Sequence, residues 1–308
     1  MPSQPNLRLR ALLLILLSSA SLADNASMEV RVGQKADDAT VPANFIGFSF
    51  EITAARVMLA ENGDKERPSI VPRESMLKLF KNIVNYSSGS PDTEKAPLLV
   101  RLGGNSADQS CFEFQSRDSA SAARGGPCST NVTSTDLMNY ASFAEAAKKS
   151  MGIEVTFILG TNMVVKDPRW GAAEIREAVR MGLFKNGVVR GVEVGNECDS
   201  YIATHPFDGL SFFSDYEKEF GHYVDVYHRD GHLPRGAIQG AAFADLIRPA
   251  YDIGIKTYLE HYGKELFSLS LHNYPTSTCA VRKNAKRTVH MHEILARKAS
   301  REQAEQYA

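Results

Sequence analysis

The chain has 308 residues, with 35 Lys and Arg against 36 Asp and Glu and a formal net charge of −1. That length accommodates one large α/β domain or two small ones. The near-neutral balance gives no electrostatic case for nucleic acid or an anionic membrane as partner, although a local basic groove for an acidic ligand stays compatible with it.

At the N-terminus, Arg8 and Arg10 precede "ALLLILLSSASLA". A basic start, a short apolar core and small residues at Ser21 and Ala23 read as a secretory signal over residues 1–23. The other reading is an uncleaved anchor. The apolar run is short for a bilayer span, so the expectation is a secreted, extracellular chain with no stable membrane insertion after cleavage. Three sequons, at Asn25, Asn85 and Asn131, fit glycosylation in that compartment. Residues 24–40 form a short N-terminal segment, with one strand candidate in "MEVRVGQ".

From residue 41 onward, strand and helix patterns alternate. "FIGFSFE" is a strand candidate. "RESMLKLFKNIVNYS" is amphipathic, with Met76, Leu79, Phe80, Ile83 and Val84 at helical spacing. "PLLVRLGGN" is a buried strand ending in a Gly turn. A capped helix follows in "STDLMNYASFAEAAKKSMG". "EVTFILGTN" is a strand, "GAAEIREAVRMGLFKNG" a helix and "VRGVEVGNE" the fourth strand. "FSDYEKEFGHYVDVYHRDG" is a helix, "GAIQGAAFAD" a strand and "YLEHYGKELF" a helix. "SLSLHNYP" is the sixth strand, and "RTVHMHEILARKASREQAEQYA" the last helix.

Six β/α units in alternation call for parallel strands with helical crossovers. A doubly wound sheet and an incomplete (β/α)8 barrel compete. The barrel is favoured because polar residues recur at the strand ends: Glu51, Asn105 with Asp108, Asn162, Asn196 with Glu197, Gln239, and His272 with Tyr274. In a barrel these ends converge on one mouth. "LGGNSAD" does not match the dinucleotide fingerprint. Residues 41–308 are therefore expected to form a partial TIM-type barrel of about six units.

Of the four cysteines, Cys111 and Cys128 bracket a Ser, Arg and Gly-rich loop. In an oxidising compartment they are a plausible local disulfide, which by loop closure would stabilise by about 3 kcal/mol. Two thiols are the alternative. His222, His228 and His232 lack metal-binding spacing and read as a solvated helix face. No metal and no cofactor are expected.

The apolar run "VEVGNECD" ends on an amide and a carboxylate. Val192 and Val194 point one way from this strand, Glu193 and Gly195 the other. A partly desolvated Glu197 at a barrel mouth would favour its neutral form, which suits a general acid. Capping or an Arg partner is the duller reading. Asn105 reads equally as a turn residue with positive φ, Gln239 as a satisfier of backbone groups inside the barrel, and His272 as a core histidine.

Together, "FIGFSFE", "LVRLGGNSAD", "GVEVGNECD", "AIQGAAFA" and "LHNYP" resemble family 79 glycoside hydrolases, the heparanases and microbial β-glucuronidases, from about residue 41 to the end. The resemblance implies a retaining mechanism with two carboxylates about 5 Å apart. Glu197 would be the acid/base and Asn196 the partner of the sugar 2-hydroxyl. Glu51, Asn105 and Gln239 would contact sugar, and Tyr274, beside His272, would orient the nucleophile. The ligand would be a glucuronide or another glycan, and "MEVRVGQ" the one strand of an accessory β-sandwich.

Two departures stand out. Cys198 occupies a place where the family commonly has Pro, which adds a thiol beside the expected acid. The family nucleophile, a Glu ending strand seven, has no counterpart, so this chain is expected to be a truncated piece inactive by the two-carboxylate route. Two alternatives are a neutral-sugar glycosidase of the same clan and a non-catalytic carbohydrate-binding remnant.

Overall fold

The computed structural model describes residues 47–63, 68–87, 97–113, 128–200, 209–244 and 249–272. The chain divides into two compact units, Met1–Val41 and Pro42–Ala308, and every described residue belongs to the second. The signal segment, "MEVRVGQ", Asn25, Tyr274, Cys279 and the last helix lie outside the described residues.

The strands are β1 (Phe48–Glu51), β2 (Leu98–Gly103), β3 (Ser110–Phe112), β4 (Thr130–Val132), β5 (Val155–Thr161), β6 (Val189–Val194), β7 (Ile238–Phe243) and β8 (Leu266–Leu271). The helices are α1 (Ile52–Leu59), α2 (Glu74–Ser87), α3 (Ser134–Ala146), α4 (Pro168–Arg180), α5 (Gly209–Arg229) and α6 (Pro249–Tyr262). Six strands form one curled sheet in the order β1-β2-β5-β6-β7-β8, every neighbouring pair parallel. The order climbs with the chain and never reverses, so there is no switch point of the doubly wound kind. This is the sheet of an incomplete TIM-type barrel. Among the described residues no helix is long and apolar enough to cross a membrane.

One face of the sheet packs on the helices. Val100, Leu102, Phe157 and Leu159 meet Phe80 of α2 and Leu137, Tyr140 and Phe143 of α3. Val192, Val194, Ile238 and Phe243 meet α5, which buries Tyr216, Phe220, Tyr223 and Tyr227. Those four are spaced four, three and four apart, one stripe of a 3.6-residue helix. The other face carries small and polar residues, among them Ser49, Arg101, Gly160, Glu193, Gln239 and Ser268.

Several elements differ from the sequence expectation. Helix α1 follows β1 directly, where no helix is expected; its Arg56 masks an otherwise apolar stripe. Arg56 is buried because Asp136 holds it, Nε to Oδ1 at 2.7 Å and Nη2 to Oδ2 at 2.8 Å. In α2 Leu77 turns inward while Leu79 is exposed, a rotation of the expected face. Helix α4 starts earlier, at Pro168, with Asp167 accepting from the Arg169 N–H, and ends at Arg180. Helix α6 ends at Tyr262, before Gly263, so Leu266 and Phe267 belong to β8. His228 is not solvated: its Nδ1 lies 2.8 Å from the Leu233 carbonyl and its Nε2 2.9 Å from Glu265 Oε2.

An excursion between β2 and α3 adds the parallel pair β3–β4, joined by a Cys111–Cys128 disulfide with Cα atoms 5.4 Å apart. The three-residue strands bury little apolar area, so a covalent tie at their start has a clear physical role. Asn131 is half-buried in β4 and Asn85 is exposed in α2.

Candidate active site

Strand β6 ends at Val194 and the chain turns sharply through Gly195, Asn196 and Glu197. Gly195 has φ 75° and Glu197 has φ 51°. Left-handed backbone costs a non-glycine residue roughly 1–2 kcal/mol, and two neighbours at the end of β7 share that conformation: Ala241 at φ 71° and Ala242 at φ 52°. The elements are stitched together. The Glu197 N–H donates to the Ala242 carbonyl at 2.8 Å, and the Ala241 N–H to the Tyr216 hydroxyl at 3.1 Å. The His272 N–H donates to the Phe243 carbonyl at 2.9 Å. Strained backbone held by its surroundings is typical of functional sites.

This stitching brings Glu197 and His272 together. His272 Nδ1 lies 2.9 Å from Glu197 Oε1, with side chains 15% and 24% exposed. His272 is thus a partner of the expected acid and sits at the strand end. Asn196 is fixed at three points. Its backbone N–H donates to Asp108, its Oδ1 accepts from Arg101 Nη2 at 2.9 Å, and its Nδ2 donates to Asn105 Oδ1 at 3.3 Å. The Arg101 contact fixes the amide orientation, leaving Nδ2 as the donor toward Asn105.

Beneath this pair runs a polar chain across the inner face. Arg101 Nη1 donates to Ser49 Oγ at 3.0 Å. Its Nε lies 2.7 and 2.9 Å from the two Glu193 oxygens, and its Nη2 also meets Oε1. Gln239 Nε2 donates to Glu193 Oε2 at 2.5 Å, and Gln239 Oε1 accepts from Ser268 Oγ at 2.9 Å. Glu193 is fully buried. A buried carboxylate without a cation is very costly, and here a guanidinium supplies the counter-charge.

The remaining expected residues fall as follows. The two Glu51 oxygens accept from the Asn105 N–H at 3.1 Å and the Ser106 N–H at 2.7 Å, tying β1 to the turn after β2. The glycine pair there makes room on both sides. A Cβ on Gly103 would lie 2.8 Å from Arg101 Cζ, and one on Gly104 would strike the Glu51 carboxylate. The positive φ of this turn belongs to Gly104, at 70°, not to Asn105. Asn162 is buried, its Nδ2 donating to the Ser110 carbonyl and its Oδ1 accepting from the Val165 N–H. Gln239 is not at a strand end: it is the second residue of β7, inside the sheet, and its amide is bonded to side chains rather than backbone. Cys198 adds no thiol to the mouth; its sulfur packs 3.6 Å from Met163 Sδ in the helix-facing core. Tyr274 lies outside the described residues.

Arg101, Glu193 and Asp108 carry much of this geometry, and sequence reasoning gave no role to the first two and noted Asp108 only as a polar residue near a strand end. A signal existed. "LLVRLGG" and "GVEVGN" each place one opposite charge in an apolar strand, and such charges need each other.

Among the described residues no group of three or more His, Cys, Asp or Glu could hold a metal ion. A cleft of about 680 Å³ opens at the other end of the strands, lined by residues such as Pro97, Glu154, Val189 and Ala237. Barrel enzymes work at the C-terminal strand ends, where Glu197 and His272 are.

No family model matches the chain, and no curated protein matches it. A solved structure that it resembles is that of a 4-O-α-L-rhamnosyl-β-D-glucuronidase from Fusarium oxysporum 12S, in complex with Rha-GlcA. The two are 17% identical with a TM-score of 0.49, over 75% of this chain and 45% of that one. The chain thus spans less than half the length of that glycosidase.

Proposed function

We propose that this domain carries the sugar-binding and proton-transfer part of a glycoside hydrolase, most specifically a secreted, retaining β-glucuronidase-like enzyme for glucuronic-acid-containing glycans. The observation that carries the reading is the Glu197–His272 hydrogen bond beside a fixed Asn196, joining the ends of β6 and β8 across the end of β7, with strained backbone at Glu197 and in β7. In this role Glu197 protonates the departing glycosidic oxygen and later takes a proton from water. The Asn196 Nδ2 donates to a sugar hydroxyl, an interaction that strengthens as charge develops at the reacting carbon. Support for a glucuronide over a neutral sugar comes from the five strand-end sequence motifs. The Cys111–Cys128 disulfide suits an oxidising compartment.

One observation favours a second reading, a carbohydrate-binding unit without turnover. Among the described residues, the other carboxylates at this end all accept from protein donors: Glu51, Asp108, Glu193 and Asp199, whose Oδ1 accepts from the Ala244 N–H. The retaining route needs a second carboxylate to attack the sugar. The two readings separate by assaying the full chain on aryl β-D-glucuronide and β-D-glucoside, with calorimetric titration of methyl β-D-glucuronide. Turnover abolished by Glu197→Gln supports the hydrolase, and the preferred aryl glycoside identifies the sugar class. Saturable binding with no turnover supports the binding unit. Neither binding nor turnover overturns both.

A further inference from the structure

We infer that Asp108 is a positioning residue for the Asn196–Glu197 pair, an inference that rests on that pair forming the site proposed above. Asp108 is 8% exposed, and both its oxygens accept from the Asn196 N–H, at 3.3 and 3.2 Å. Its Oδ1 also accepts from the Met163 N–H at 3.4 Å. Met163 and Asn196 each lie two residues past the end of their strand, β5 and β6. One carboxylate on the β2–β3 loop therefore holds the corresponding point of two neighbouring strand-end turns.

A clamp of this kind works only if the loop that carries it is itself fixed. Ser106 Oγ accepts from the Ile52 N–H at 2.8 Å and donates to the Gly103 carbonyl. Glu51 holds the Asn105 and Ser106 amides, and Asn162 holds the Ser110 carbonyl. Ser110 Oγ donates to the Ala107 carbonyl at 2.7 Å. Gly160 lets the loop lie close on β5, since a Cβ there would stand 2.6 Å from the Leu102 carbonyl and 3.0 Å from Ala107 Cβ. One residue beyond Ser110, the disulfide ties the loop to β4.

The consequence falls on Glu197. Asp108 fixes the N–H of residue 196, and the Ala242 carbonyl fixes the N–H of residue 197. Two consecutive amides are thereby set, one by a charged acceptor, which binds about twice as strongly as a neutral one. With both set, the left-handed backbone of Glu197 is over-determined, and its carboxyl is aimed at His272. Without the clamp, Asn196 and Glu197 lose the constraint that offsets the strain.

The test uses the isotopically labelled full chain and amide and carboxyl NMR. In the wild type, the Asn196 amide proton moves downfield as one carboxylate ionises. Asp108→Asn keeps the shape and one acceptor but removes the charge. The Asn196 amide then shifts upfield, and the titration midpoint of the Glu197 carboxyl moves. Leu137→Ala, a destabilised control in the helix-facing core, moves neither. Glucuronide binding, where the wild type shows it, weakens about tenfold or more in Asp108→Asn, as misplaced site groups do. An Asn196 amide and a Glu197 titration identical in Asp108→Asn and the wild type would overturn the inference. If Asp108→Asn does not fold, a wild-type Asn196 amide that follows no carboxylate titration overturns it equally. Absence of binding and turnover in the wild type sinks the glycosidase reading alone, because the amide and titration readouts need no sugar.

Discussion

Two buried glutamates, one on each side of the sheet, are housed in opposite ways. Glu193, on the inner face, is wrapped by Arg101 and Gln239. Glu174, in α4 on the helix side, is 5% exposed; burial pushes its carboxyl up to about 8, and the nearby Asp136 charge adds to the push. The cation in that region, Arg56, is committed to Asp136. The inner face thus keeps a compensated charge below the candidate site, whereas Glu174 in the helix layer is housed by keeping its proton. Burial is similar; the presence of a guanidinium decides the outcome.

The largest expected effect separates the two by pH. Folded Glu174 holds a proton that the unfolded chain releases above its ordinary value of 4.5. Its contribution is therefore fully present below pH 4.5, is lost as pH rises to about 8, and is flat beyond. The loss is on the order of 4–5 kcal/mol. Tyr140, Tyr227, Asp136 and Arg56 are the other groups of this cluster. Urea unfolding of wild type and Glu174→Gln between pH 5 and 9 isolates the effect, because other titrating groups cancel in the difference. A difference that does not change with pH would break the comparison.

On the inner face the same experiment is done by removing the cation. Arg101→Ala leaves Glu193 buried beside Gln239 alone and should cost about 3–5 kcal/mol. Arg101→Met with Glu193→Leu should recover most of that, since a hydrophobic pair of similar volume replaces the ions. If the single variant costs under about 1 kcal/mol, the pair behaves as a surface ion pair and the contrast with Glu174 disappears. The double variant has a further use: it should still lose sugar binding, because Arg101 also fixes the Asn196 amide.

How much of this was legible in the sequence follows from range. The six-strand alternation and the crossover helices come from local periodicity, and they stand in the structure. The Cys111–Cys128 link, 17 residues apart, is also nearly local. The Arg101–Glu193 contact spans 92 residues and Arg56–Asp136 spans 80. No window of sequence reports such partners; a lone charge in an apolar strand says only that some partner exists. Helix α1 was hidden for the same reason, since Arg56 reads as polar until Asp136 is in place. At the mouth, Asn196 and Glu197 were visible as residue types, but their orientation depends on Asp108 of the β2–β3 loop, Arg101 of β2 and His272 past the end of β8, all distant in sequence.

Glu51 is a third way of housing a carboxylate and gives the smallest expected effect. It is exposed and meets backbone amides instead of a side-chain cation. Glu51→Ala leaves the exposed Asn105 amide to water, but the Ser106 amide is buried and loses its acceptor. The expected cost is about 1–2 kcal/mol, the penalty of one unsatisfied buried donor. Glu51→Gln retains one acceptor and should cost less than about 1 kcal/mol. Thermal unfolding gives both values, and amide exchange at Ser106 shows where the loss falls. If the two substitutions cost the same, the loop is held by the carboxylate charge, and Glu51 then belongs with Glu193 as a charge the fold requires. If only Glu51→Ala is costly, Glu51 serves as an oxygen bridge between β1 and the loop that carries Asp108.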